Sequence, residues 1–317
     1  MTIALIAHGG AGNWRPGSED DAVAGMRSAV EAGRAILAAG GAAVDAVCAT
    51  VTRLEDNPIF NAGTGAVLNF DGDCELDASV MVSRGSPPGQ ESNALRVGAV
   101  CALRRVKNPI LVARKVMEET DHVMLAGEGA LRFARVMGFP DHDPVTPARR
   151  DDWRDKKAHL DEVLGKHSLR MRRFLKDHPE YAGGTVGAVA VDGDGVLAAA
   201  TSTGGVTMKL AGRVGDSPIA GAGNYASAAA AASATGTGEY VMRFLATRAI
   251  AEAVDRGAPI AKAVAAVLDR LGRDFDADVG FVAVDAAGNP VAAHRTRDMP
   301  HAFFSAEGPV VARMRAP

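Results

Sequence analysis

The sequence predicts a mixed α+β fold in which antiparallel sheets are covered by helices on their outer faces. Three observations predict it. Short β runs come in pairs around Gly- and Asp-rich turns such as Gly193-Asp-Gly195. Helical segments come in blocks between those pairs, unlike the one helix per strand of a parallel βαβ chain. The 317 residues include 36 glycines and are 47% hydrophobic, which suits tight turns around one large core.

The elements follow in order. An apolar strand, Thr2 to Ala7, runs into His8-Gly-Gly-Ala-Gly12; it lacks a basic start and reads as a strand, not a leader. Ser18 followed by Glu19, Asp20 and Asp21 marks a helix start, a capping hydroxyl with acids in the first turn, and that helix runs to Gly40-Gly41. Val44, Val47, Cys48, Val51 and Leu54 have the spacing of a second helix, which ends in the turn-rich stretch Asn57 to Gly65. Ala66 to Phe70 and Glu75 to Val82 flank Asp71-Gly-Asp73 as a hairpin. The loop Arg84 to Asn93 leads to a strand, Arg96 to Leu103, and Asn108-Pro109 opens a third helix.

Residues 149–176 change character, with ten Lys or Arg against five Asp or Glu. That fits an exposed linker, reaching over about residues 141–184, and equally a solvated charged helix. Gly183 to Asp192 and Val196 to Thr201 then form a hairpin of small and β-branched residues, expected to be buried on both faces. Next come a strand from Ser217 to Gly223, an alanine-rich helix to Ser233, a glycine loop Thr235 to Gly238, and helices from about Glu239 to Val254 and Pro259 to Leu271. Two β runs, Ala277 to Asp285 and Val291 to Arg295, close the pattern.

Charge excludes some partners. The net charge of −3, from 35 basic and 38 acidic residues, gives no electrostatic case for nucleic acid or an anionic membrane. No apolar run reaches the roughly 18–20 residues needed to cross a bilayer, so the expected compartment is the cytoplasm. Cys48, Cys74 and Cys101 form no CxxC pair and the histidines no HExxH, which argues against zinc and against a disulfide framework.

Two segments invite chemistry. Gly221-Ala-Gly-Asn-Tyr-Ala226 fits GxGxxA and so a dinucleotide-binding oxidoreductase, although the preceding half looks antiparallel and glycines also serve close packing. Gly184-Thr185 invites a different reading. A threonine hydroxyl needs a neighbouring base, and cutting the chain before it makes its own α-amino group that base. Taken alone, the pair also fits an ordinary strand threonine after a glycine turn.

Six motifs in order change the weight of that pair: His8 to Gly12, Asn57 to Gly65, Leu76-Asp-Ala-Ser79, Thr201-Ser-Thr-Gly-Gly205, Gly212-Arg-Val-Gly-Asp-Ser-Pro218 and Ala234-Thr-Gly-Thr-Gly-Glu239. With them the chain closely resembles the plant-type asparaginase and isoaspartyl peptidase family of N-terminal-nucleophile hydrolases. The resemblance implies a four-layer αββα sandwich, cut between Gly184 and Thr185 into an α subunit (residues 1–184) and a β subunit (residues 185–317). It implies Thr185 as nucleophile, Thr203 as its hydrogen-bond partner, Thr235 and Gly236 as the oxyanion hole, and Asn61 as a support. Arg213 and Asp216 would hold the α-carboxylate and α-amino group of an L-aspartyl unit, with Gly238 lining the pocket; on their own they fit a surface salt bridge equally well.

The resemblance further implies a sodium ion held by backbone carbonyls of Leu54, Glu55, Asn57, Phe60, Ala62 and Thr64, with a rigid loop lacking an ion as the alternative. It implies no organic cofactor, small β-aspartyl substrates and a dimer of cleaved pairs. A glycosylasparaginase is the nearest relative reading, disfavoured by the unpaired cysteines and the lack of a leader. Departures from the family are the longer loop 84–93, Val82-Ser83 in place of Asp-Gly, and Met208 and Ala211 in place of asparagine and proline. Glu239, Tyr225 and His8 are expected to be structural.

Overall fold

Twelve strands and eight helices form among the residues that the computed structural model describes, which are 2–84, 95–164 and 184–316. In chain order the first part holds β1 (Ala4–His8), α1 (Glu19–Ala38), α2 (Ala43–Glu55), β2 (Leu76–Val82), β3 (Arg96–Leu103), α3 (Pro109–Glu119), β4 (Met124–Ala126), α4 (Gly127–Val136) and α5 (Pro147–Leu164). The second part holds β5 (Val186–Val191), β6 (Leu197–Thr203), β7 (Asn224–Ala226), β8 (Ala230–Gly236), α6 (Gly238–Phe244), α7 (Ala246–Asp255) and α8 (Ile260–Phe275). It ends with β9 (Val279–Asp285), β10 (Pro290–His294), β11 (His301–Ser305) and β12 (Val311–Arg313).

The strands make an eight-stranded sheet, β12-β11-β1-β5-β6-β2-β3-β4, and a four-stranded sheet, β10-β9-β8-β7. Every pairing is antiparallel except β3 with β4. Alternation along the strands builds the layers, because successive side chains point to opposite faces. Leu5 and Ala7 of β1, with Val186, Ala188 and Ala190 of β5, pack against Met26 and Val30 of α1, Val47 and Val51 of α2, and Val112 and Val116 of α3. Their neighbours Ala4, Ile6, Val189 and Val191 face the smaller sheet at Ala231, Val282 and Val284. The far side of that sheet, with Ala232, Ala234, Phe281 and Ala283, packs on Val241, Ile250, Val264 and Leu271 of α6 to α8. The result is the four-layer αββα arrangement, with β5 and β6 central and both buried along their whole length.

Several sequence expectations are corrected. Ser18 stands at the head of α1, but its hydroxyl donates to Arg15 O at 2.7 Å and caps nothing. Ala66 to Phe70 is no strand, because its backbone is used elsewhere: Val67 N donates to Asn61 Oδ1, Phe70 N to Lys209 O, and Leu68 O accepts from Met208 N. Thus β2 pairs with β3 and β6 instead of a hairpin partner. Ser217 to Gly223 is a run of turns and not a strand.

The alanine-rich stretch expected to be helical is β7, a turn and β8. Alanine favours helix when alone, but here small side chains are what lets β8 lie between the other sheet and α7, and tertiary packing overrides propensity. The helix expected over 239–254 breaks at Leu245, whose φ of 50° is left-handed. Of the charged stretch, Pro147–Leu164 is the helix α5, while residues 165–183 and the loop residues 85–94 lie outside the described residues. The strands β11 and β12 had no sequence signal strong enough to predict them.

Candidate active site

Thr185 stands directly before β5, at the head of the central hairpin, and is buried. Its Oγ1 donates to Thr203 Oγ1 at 3.2 Å, since the β5–β6 register places Val186 opposite Ser202 and brings the end of β6 alongside. Thr203 Oγ1 accepts a second bond from Gly205 N at 2.9 Å and donates to Gly184 O at 3.4 Å. Gly184 O also accepts from Asn61 Nδ2 at 2.6 Å. Asn61 is itself locked, with Nδ2 on Gly205 O and Oδ1 accepting from Val67 N. Two donors therefore converge on the carbonyl that precedes the threonine.

Thr235, near the end of β8, reaches the same place from the other sheet. Its Oγ1 accepts from Thr185 N at 3.3 Å and from Ala11 N at 3.1 Å, which leaves the hydroxyl proton free to donate outward. Gly236 follows with φ of 109°, and a Cβ there would lie 2.2 Å from Asp278 O, so the position requires glycine. The HGGAG loop packs tightly behind: a Cβ on Gly10 would lie 2.8 Å from Gly184 Cα.

A small cleft opens at this point, lined by Thr185, Thr203, Gly205, Val206, Arg213, Gly215, Asp216 and Gly236. Asp216 is buried, its Oδ2 has no hydrogen-bond partner, and burial raises its carboxyl to about 7 although the Arg213 charge pulls it down. A buried carboxylate with one free oxygen is equipped to receive a cation. Gly238 does not line the cleft; it packs behind Asp216, where a Cβ would lie 2.5 Å from Oδ1. Arg213 donates Nε and Nη2 to Glu239 Oε1 at 3.0 and 2.7 Å. Glu239, expected to be structural, therefore belongs to the site's surroundings. The signal was its place one residue after the TGTG turn.

His8 is buried with Nε2 on Ser233 Oγ at 2.9 Å, and burial lowers it to about 3, so the ring is neutral. The stretch Leu54 to Thr64 closes on itself through Thr64 N donating to Glu55 O at 2.8 Å. Thr64 Oγ1 inside it is buried with no partner. Gly63 turns with φ of 50°, and Glu55 O and Lys107 O both lie 2.7 Å from where its Cβ would stand, a dense group of neutral oxygens. The departures also have places. Ser83 closes the β2–β6 ladder through Ser83 N to Leu197 O and Leu197 N to Ser83 Oγ. Met208 takes φ of 61°, a conformation that asparagine tolerates better and that costs methionine about 1–2 kcal/mol.

The dinucleotide reading fails here. Gly221 to Ala226 runs through a turn into β7, which hairpins into β8, so no helix follows whose N-terminus could receive a phosphate.

An αββα sandwich with a buried threonine at the head of a central strand, ringed by hydroxyl and amide donors, is the scaffold of a threonine-nucleophile amidohydrolase. The sequence profile of the family described as Asparaginase matches residues 1–311. The chain is 46% identical over 304 residues to a plant-type L-asparaginase of Pyrococcus abyssi, covering 95% of this chain and 96% of the relative. It is 41% identical to an isoaspartyl peptidase/L-asparaginase of Rattus norvegicus, covering 95% and 86%, and 39% identical to one of Danio rerio, covering 91% and 87%. The chain belongs to the asparaginase family and is an amidohydrolase. Among the described residues, no helix is long and apolar enough to cross a membrane.

Proposed function

We propose that this chain hydrolyses β-aspartyl amide bonds, in L-asparagine and in isoaspartyl dipeptides, after cutting itself between Gly184 and Thr185. The observation that carries the reading is the convergence, in one cleft, of the Thr185 hydroxyl with Arg213 and Asp216. The names of the relatives point to the same substrates.

Self-cleavage begins with Thr185 Oγ1 attacking the Gly184 carbonyl carbon. Asn61 Nδ2 and Thr203 Oγ1, both already on that oxygen, hold the negative charge that develops there. The C–N bond breaks as the nitrogen takes up the proton that Oγ1 gave up, leaving an ester on Oγ1 and the free Thr185 amine; water then hydrolyses the ester, releasing the Gly184 carboxylate and restoring the Thr185 hydroxyl. In the mature enzyme that amine takes the Oγ1 proton, and Oγ1 attacks the side-chain carbonyl of the substrate. The Thr235 hydroxyl and the Gly236 N–H stabilise the oxyanion, by about 3 kcal/mol per donor in comparable sites. The leaving amine departs with the proton, and water hydrolyses the aspartyl ester to release L-aspartate. Arg213 grips the α-carboxylate and Asp216 the α-ammonium, so the β-carbonyl is the one presented.

The same reading places a sodium ion in the 54–64 loop, supported by the backbone carbonyls of Glu55 and Lys107 close together beside Gly63 and by Thr64 Oγ1, buried with no partner. Carbonyls of Leu54, Glu55, Asn57, Phe60, Ala62 and Thr64 would hold the ion, which would stiffen the loop that carries Asn61. In the same reading the cleaved pairs associate as a dimer and work in the cytoplasm.

Intact-mass spectrometry of the wild type beside Thr185→Ala, with ammonia release from L-asparagine and cleavage of β-Asp-Leu, tests the proposal. Two fragments meeting at 184/185, absent in the variant, with activity only after cleavage, are expected. An uncut chain inactive on both substrates would overturn it.

A further inference from the structure

Asp77 and Ser79 lie two residues apart on β2, so they share a face of the sheet, and each reaches the backbone beside Asp216. Asp77 Oδ2 accepts from Gly215 N at 3.4 Å. Ser79 Oγ donates to Ser217 O at 2.6 Å. The two residues that flank Asp216 in the chain are thus each tied to one side chain of a rigid, fully buried strand. Ser79 is fixed in turn by Asn224 Nδ2, which donates to its Oγ at 2.7 Å and its carbonyl at 3.1 Å. Asp77 is fixed by Ala102 N on Oδ1 at 2.8 Å. None of these bonds touches Thr185, Thr203 or Thr235, and all are buried except the Ala102 N bond to Asp77, which is part-buried.

A short carboxylate gains nothing from being buried unless it stands where the ligand's ammonium will be, because it cannot search for it as a long side chain would. The segment 212–217 has no regular secondary structure and no ladder of its own to hold it. We propose that Asp77 and Ser79 are positioning residues that set the placement of the Asp216 carboxylate from either side, and so determine how strongly the site discriminates for the α-ammonium of its substrate. The inference rests on the reading of Asp216 as the ammonium partner. It assigns the discrimination to a strand that does not line the cleft.

The test compares binding of L-aspartate with binding of succinate, the same dicarboxylate without the ammonium, by calorimetry at pH 8 in the wild type, Ser79→Ala, Asp77→Asn and Asp216→Asn. The expected result is that Ser79→Ala and Asp77→Asn each weaken L-aspartate by about tenfold or more and leave succinate within about twofold, moving toward the ratio of Asp216→Asn. Thr185 cleavage, read on a denaturing gel, is expected to be unchanged in both. The two variants act from opposite sides of Asp216, so if one fails to fold the other still decides the question. Loss of both ligands in parallel, or an unchanged ratio in a folded variant, would overturn the proposal. A wild type that does not prefer L-aspartate to succinate would instead remove the Asp216 reading on which it rests.

Discussion

Asn61 and Gly184 are 123 residues apart in sequence, and the side-chain amide of the first donates to the carbonyl of the second at 2.6 Å. That carbonyl is the one the Thr185 hydroxyl must attack for the chain to cut itself. A donor already in place when charge develops needs no rearrangement, which is why such groups weigh heavily in acyl transfer. Asn61→Ala removes it, and Thr203 Oγ1, at 3.4 Å, is the weaker donor that remains. The variant is expected to mature about a hundredfold more slowly or more. A gel time course of purified precursor measures this directly.

In the proposed reading Asp216 receives the substrate ammonium, so its protonation sets how binding depends on pH. Burial raises its carboxyl to about 7, so below that pH the unliganded site holds a neutral acid that attracts an ammonium poorly. The KM for L-asparagine is therefore expected to fall as pH rises through about 7. The kcat is expected to rise with pH as the Thr185 amine loses its proton, since only the neutral amine can take the proton from Oγ1. Asp216→Asn separates the two: it should abolish the KM dependence and leave the kcat limb. A KM that still falls over the same range in that variant would contradict the assignment.

Gly238 is the sharpest steric probe of the same carboxylate. A Cβ at that position would stand 2.5 Å from Asp216 Oδ1, so Gly238→Ala must displace the carboxylate. KM is expected to rise about tenfold or more while the extent of self-cleavage is unchanged, since Gly238 makes no contact with Thr185. Gly236→Ala has a different outcome. Its Cβ meets backbone, at 2.2 Å from Asp278 O, and its φ of 109° disfavours any side chain, so turnover should collapse.

His8 ties stability to pH. Burial lowers its folded-state value to about 3, whereas the unfolded chain has an ordinary histidine near 6.5. Between those values the unfolded state binds a proton that the folded state does not, so stability falls as pH drops below about 6.5. His8→Asn removes that titration. Its Tm relative to wild type is expected to improve from pH 7 to pH 4.5, whatever the offset from losing the Ser233 bond.

The cation proposal predicts ion dependence. Exchange of sodium for choline is expected to lower Tm and slow maturation, and restored sodium to recover both, because the loop it would stiffen carries Asn61. Indifference of both readouts to sodium would favour a loop held by its own bonds, such as Thr64 N to Glu55 O.

The residues themselves determined the hairpin of β5 and β6, the helices α1, α2 and α3, and the motifs from which the candidate site was read. Unbroken small and β-branched runs, helical spacing of apolar residues and ordered glycine motifs are local signals. Tertiary structure alone decided that Ala230 to Gly236 is a strand, since what matters there is the space between a sheet and a helix, not the preference of alanine. It alone decided that Ala66 to Phe70 spends its backbone on the 61 and 206–209 segments, and that the helix after Gly238 breaks at Leu245. The same holds for the partners of the site residues. Thr185 and Asp216 could be named from their motifs, but Asn61 on Gly184, Glu239 on Arg213, and Asp77 and Ser79 beside Asp216 join stretches between 26 and 138 residues apart. A hydrogen bond has no signature along the chain, and only the folded path of the backbone brings its two ends together.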